Sequence, residues 1–302
     1  MLPALWAYQL IYSILLTRLR TSHPDRMGRR RYHSKLTIIM SKIQWTEQTW
    51  NPITGCSRVS TGCENCYAER MAWRMMNNPV AGEAYANTTR KTKAGRIQWT
   101  GRINTVELAL TKPLRVKRPT MFFVNSMSDL FHPEVPPEFL QRIWAVMNAT
   151  PRHTYQILTK RPELIRDKLP KDWGEGYPNV WMGVSVESEN YLFRAGYFRE
   201  IKSPVRFLSV EPMLGPIRLP IEFFHETGIN WVIIGGESGP MSRKCSAEWI
   251  NDLKHDCISA GVPVFIKQLG SHTARLWKLR DKKGGDIAEW PPFFQVRQYP
   301  QI

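Results

Sequence analysis

The residues best able to do chemistry are three cysteines within eleven positions, Cys56, Cys63 and Cys66, spaced C-x6-C-x2-C between Gly55 and Tyr67. Thiolates this close on a glycine-bearing loop could converge on one metal. Three of them fall one short of a closed tetrahedral zinc site or a four-thiolate iron–sulfur site. Three readings follow. A 4Fe–4S cluster would leave one iron open. Zinc would need a fourth ligand from elsewhere, with His132 and His153 the nearest candidates. Otherwise the thiols are structural. The missing fourth ligand favours the cluster, and a helix beginning at Cys66 would stabilise negative charge on sulfur through its N-terminal amides.

Such a loop needs a scaffold, and the chain supplies a periodic one. From residue 121 onward, short apolar, β-branched runs alternate with helical patterns: 121–125, 154–159, 180–186, 205–210, 231–234 and 262–266. A start-to-start pitch of 25 to 33 residues is that of repeated βα units. Between the runs, residues 138–148 present Phe139, Leu140, Ile143, Trp144 and Met147 on one helical face. Pro162 suits a first helical turn, and Ser246 can cap a helix ending near Gly261. Further strands are expected at 50–54 and 106–110, for a total of seven or eight. Near-continuous apolar strands imply a parallel sheet with its outer face covered. The expected fold is α/β, a (β/α) barrel, complete or partial and TIM-like.

Just past the runs, six successive strand ends turn polar or charged: Asn125 to Asp129, Lys160 and Arg161, Glu187, Glu211, Glu237, and Lys267 with Gln268. Turns ordinarily favour Gly, Asn, Asp, Ser and Pro, whereas Glu, Lys and Arg recur here at matching offsets. Parallel barrels assemble active sites on this rim. Asn125, Asp129, Lys160, Glu187, Glu211, Glu237 and Lys267 are therefore the candidate rim residues.

The 302 residues carry a formal net charge of +16, which favours a polyanionic partner, nucleic acid first. Five cysteines, three of them in the cluster, are not a disulfide framework, and a reducing cytoplasm is expected. Cys257 falls on a helical core stripe with Trp249 and Leu253. Residues 2–16 are largely apolar but too short for a confident span, and the arginines follow the apolar stretch, the reverse of a secretory signal. Residues 1–39 are read as an extension outside the fold, with Met40 as the start and no stable membrane association expected. Residues 40–272 form the barrel domain, with a basic insertion or lid at 77–101, and 273–302 form a tail.

The runs Trp50–Cys56, Gly62–Arg70, Phe123–Phe131, Leu158–Pro162 and Gly235–Gly239 resemble the phage-associated three-cysteine proteins, regarded as radical-SAM-like. That resemblance implies a cytoplasmic enzyme whose 4Fe–4S cluster, held by Cys56, Cys63 and Cys66, binds S-adenosyl-L-methionine. It would yield a 5′-deoxyadenosyl radical, with electrons from a donor such as a flavodoxin or ferredoxin. Glu187, Glu211, Lys160 and Lys267 would be catalytic, and Asn125, Asp129 and Glu237 would contact the cofactor. The usual radical-SAM spacing is C-x3-C-x2-C, and here the first gap is longer. The alternative is a zinc-stabilised nucleic-acid-binding protein without catalysis.

Overall fold

The computed structural model describes residues 43–301, so the expectations for residues 1–39 lie outside the described residues. Seven strands form one parallel sheet: β1 (Gln48–Trp50), β2 (Met121–Val124), β3 (Thr154–Thr159), β4 (Val180–Ser185), β5 (Arg206–Val210), β6 (Trp231–Gly235) and β7 (Val264–Gln268). Their spatial order is their sequence order, with no reversal of the kind that creates a switch point in doubly wound sheets. The sheet is therefore a curled, open relative of a (β/α) barrel. It remains open because β1 and β7 are its two edges. A complete barrel, one of the two forms expected, is corrected to this partial one.

Side-chain alternation sorts the strands into two faces. Phe122, Val124, Tyr155, Ile157, Met182, Val184, Leu208, Val210, Val232, Ile234, Val264 and Ile266 belong to the large cluster beneath the helices. Phe123, Trp181, Phe207, Trp231, Ile233 and Phe265 face the other way and pack with Trp45 inside the curl. Each such fully buried side chain is worth about 1.5–3 kcal/mol. Gly183 belongs to this packing because a Cβ there would overlap the Phe207 ring. Gln156, level with Phe123 and Trp181, donates to the Trp45 carbonyl at 3.2 Å within this layer. Farther along the strands the inward positions become polar, with Ser209 and Asn125 each carrying buried side-chain atoms without a hydrogen-bond partner. Aromatic packing closes the amino-terminal end, and polar groups line the carboxyl-terminal end.

The main helices are α1 (Tyr67–Met76), α2 (Pro137–Asn148), α3 (Ile221–Thr227) and α4 (Ala247–Ser259). Helix α2 buries Phe139, Leu140, Ile143, Trp144 and Met147, the face read from the sequence. Ser246 is the N-cap residue of α4, through its extended backbone and without a side-chain capping bond. The strand expected at 106–110 is instead a helical turn, Glu107–Leu110. The Trp50 indole donates to the Ala109 carbonyl at 2.8 Å, and Leu110 is buried against the core. The strand expected at 50–54 is divided, because Ile53–Thr54 leaves the main sheet to pair with Asn104–Thr105. Residues 89–99 form an antiparallel hairpin, Thr89–Lys91 against Ile97–Trp99. Trp290 and Phe294, late in the chain, enter the main core. No helix among the described residues is long and apolar enough to cross a membrane.

Candidate active site on the carboxyl rim

The loop from Gly55 to Cys66 lies over the carboxyl ends of the strands, held by three clamps. In the first, Asp129 and Arg161 pair at 2.9 Å, both nearly buried. Arg161 also donates to the Ser57 carbonyl (2.9 Å) and hydroxyl (2.7 Å), and lies 3.8 Å from the Cys56 sulfur. Asp129 further accepts from the Thr159 hydroxyl at 2.7 Å and the Lys160 amide at 3.2 Å. This carboxylate joins the ends of β2 and β3 to the cysteine loop.

The second clamp is Glu187, whose side chain is fully buried. It pairs with Lys160 and Arg194, each at 2.9 Å, and accepts from the Ser60 hydroxyl at 2.8 Å. Burial opposes its ionisation, but Lys160, Arg194 and Ser60 outweigh it and hold the carboxyl below its usual range. Gly62 presses on this carboxylate so closely that a Cβ would overlap it. The third clamp is Glu237, which binds Arg243 at 2.7 Å and accepts from the Asn65 amide at 3.1 Å. It too is held below the usual carboxylate range, against the opposing effect of burial, chiefly by hydrogen bonds from Arg243.

Glu211 and Lys267 are arranged differently. They form a close ion pair from β5 to β7, passing over β6 at Gly235. A Cβ on Gly235 would come within 3.2 Å of the Glu211 carboxyl carbon, so glycine is what lets the carboxylate cross. Neither side chain is sealed, at 16% exposure for Lys267 and 19% for Glu211. Nearby, Tyr67 donates to the Ser126 carbonyl at 2.8 Å. Desolvation of its hydroxyl, followed by the proximity of the acidic groups Cys66 and Glu211, pushes that phenol upward. Asn125 sits in the left-handed region (φ 60°), which asparagine tolerates better than most residues, with both side-chain amide atoms buried and unpartnered.

The cysteines do not form the centre their spacing suggested. Among the described residues no three His, Cys, Asp or Glu side chains are grouped to hold a metal ion. Cys56 and Cys66 instead pack with Ala68, Ala72, Trp99, Met127 and Tyr85. Burial pushes the Cys56 thiol up to about 12, and Cys66 is raised for the same reason. Cys63 lies 3.7 Å from the Ser60 hydroxyl. The expectations of a 4Fe–4S cluster, of S-adenosyl-L-methionine bound to it, and of zinc at this loop are therefore corrected. Sequence spacing cannot say where sulfur atoms point, and here they are shared among an apolar cluster and polar neighbours.

Neither histidine considered as a fourth ligand is available. His132 accepts the Glu134 amide on Nδ1 at 3.2 Å, so its neutral ring carries the proton on Nε2 and donates to Ser57 at 2.8 Å. His153 contacts the Pro113 and Val116 carbonyls, each at 3.1 Å, at the opposite, amino-terminal end of β3.

All seven rim residues named from the sequence lie at this end of the sheet. Asp129, Lys160, Glu187 and Glu237 take part in the clamps, Glu211 and Lys267 pair with each other, and Asn125 stands apart. Sequence reading missed Ser60, Asn65, Arg194 and Arg243, whose partners are 127, 172, 7 and 6 residues away. Serine and asparagine in a loop give no signal of a distant carboxylate.

No curated protein matches the chain. Among solved structures, a double mutant of spore photoproduct lyase with bound AdoMet and dinucleoside spore photoproduct is similar at 13% identity and a TM-score of 0.39. The match covers 83% of this chain and 78% of that one. A family model described as "Protein of unknown function (DUF5131)" matches residues 40–290, and the chain belongs to that family.

Proposed function

We propose that this protein is an enzyme whose reaction centre is the mouth of the open barrel, with Glu211 and Lys267 as its proton-transfer pair. The observation carrying this reading is the contrast among rim carboxylates. Asp129, Glu187 and Glu237 are committed to holding the cysteine loop, whereas Glu211 meets a partly accessible lysine over a glycine. A carboxylate so placed can take a proton from a substrate hydroxyl, amine or acidic C–H. The neighbouring ammonium would stabilise the anion that forms.

Asn125 supports the same reading. Leaving a buried polar group unpaired costs about 1–3 kcal/mol, and an amide with both ends unpaired at an enzyme mouth is suited to orienting a polar substrate. The basic chain favours a nucleic acid or one of its nucleotide components as that substrate. The radical step implied by the resemblance forms no part of this reading, since it requires the metal grouping corrected above.

The test is a mass-spectrometric search for altered nucleotides or oligonucleotides after incubation with the wild type, Glu211→Gln and Lys267→Met. Conversion by the wild type, lost in both variants while binding persists in Glu211→Gln, is expected. Equal conversion by all three proteins overturns the assignment. A second reading, nucleic-acid binding without catalysis, is favoured by the cations of the Thr89–Trp99 hairpin. It predicts affinity without chemical change.

A further inference from the structure

Half of the net positive charge outside residues 1–39 falls in one segment. Between residues 66 and 106 there are seven Lys and Arg and only two carboxylates, Glu69 and Glu83. Four of the cations, Arg90, Lys91, Lys93 and Arg96, lie within seven positions on the hairpin. All four are exposed and form no ion pair among the described residues.

The hairpin is built to hold these charges outward. At its tip the Thr92 amide donates to the Arg96 carbonyl at 2.8 Å, the Gly95 amide to the Thr92 carbonyl at 2.9 Å, and the Arg96 amide to the Thr92 hydroxyl at 3.1 Å. Gly95 supplies the positive φ (76°) this turn requires. At its root Trp99 is buried, and its amide donates to Glu69 at 3.1 Å. Glu69 in turn pairs with Arg58 of the cysteine loop at 2.6 Å. Ordered backbone at both ends lowers the entropy lost when the cations meet a ligand. The root also ties the arm to the loop that covers the rim.

We propose that this hairpin is a docking arm for the phosphodiester backbone of a nucleic acid. The inference deepens the rim reading by naming where its polymeric substrate is gripped. Four unpaired cations on an ordered projection suit a row of phosphates. They also make affinity depend on salt, because each phosphate neutralised releases condensed counterions.

The full chain and a variant carrying Arg90→Gln, Lys91→Gln, Lys93→Gln and Arg96→Gln would be titrated with fluorescent single- and double-stranded oligonucleotides between 50 and 200 mM salt. Removing four phosphate contacts should lower the slope of log K against log salt by about 3, at 0.7–0.9 per contact, and weaken binding at least ~10-fold at the low-salt end. An unchanged melting temperature would show that the fold is retained. Equal affinity and slope in both proteins overturn the proposal, as does binding to phosphatidylserine vesicles with none to oligonucleotides. Glu211→Gln serves as the separating control. It should bind oligonucleotides like the wild type, so loss of chemistry with binding retained tests the rim, and loss of binding in the quadruple variant tests the arm.

Discussion

Glu187 accepts a hydrogen bond from Ser60 at 2.8 Å across 127 residues of sequence. Through it the end of β4 holds the cysteine loop, while the same carboxylate neutralises Lys160 and Arg194. Glu187→Gln should therefore cost about 3–5 kcal/mol, because it leaves nearly buried cations uncompensated. Urea denaturation would measure the loss. The pH dependence has a definite sign. A carboxyl held below its usual range stabilises the fold fully above the unfolded value, and that stability is lost as pH falls through the folded one. The variant should lose this part of the acid dependence.

Gly235→Val should separate Glu211 from Lys267 while leaving the clamps in place, since a side chain there intrudes on the Glu211 carboxyl. A loss of conversion of ~10-fold or more is expected, with a stability cost of about 1–3 kcal/mol from overpacking. Undiminished conversion would remove the pair from the mechanism.

His132 should titrate near pH 4, held down by burial and by the nearby charge of Arg161. Because its folded value lies below that of a free imidazole, its contribution is complete above about pH 6.5. It declines as pH falls and is lost through the folded value. The ring resonances followed by NMR would give the midpoint, and one near pH 6.5 would show that neither burial nor the Arg161 charge acts on the ring.

Cys56, pushed up to about 12, should alkylate far more slowly in the folded protein than in urea. Relative to a thiol of ordinary pKa near 9, its thiolate fraction at neutral pH is lower by about 1,000-fold. Iodoacetamide labelling followed by peptide mapping would measure the ratio. Comparable rates in the two states would show a thiol open to solvent.

Much of the scaffold is legible in the residue order, for a physical reason. Strands buried on both faces must be nearly apolar throughout, so β4 is readable from its residues alone and is found at Val180–Ser185. A helix with one buried face must repeat near 3.6 residues, and α2 does so. Short elements escape this logic. The Thr89–Trp99 hairpin has three-residue strands with one buried residue at each outer end, too little for a period to emerge. Val106–Leu110 is apolar enough to read as a strand, yet four of its residues form a helical turn accepting the Trp50 indole, a partner 59 positions away.

The amino-acid order by itself determined the βα rhythm, the parallel sheet and the placing of charged residues at successive strand ends, because each depends on near neighbours along the chain. Only the tertiary structure decided which charges meet. It pairs Glu211 with Lys267 over the bare backbone of Gly235, and gives Glu187 and Glu237 to the cysteine loop. It also sets Cys56 and Cys66 among apolar side chains instead of in a metal-binding group. Spacing constrains how far apart two residues are along the chain, but the direction of a sulfur or carboxylate is fixed by packing from strands and helices remote in sequence.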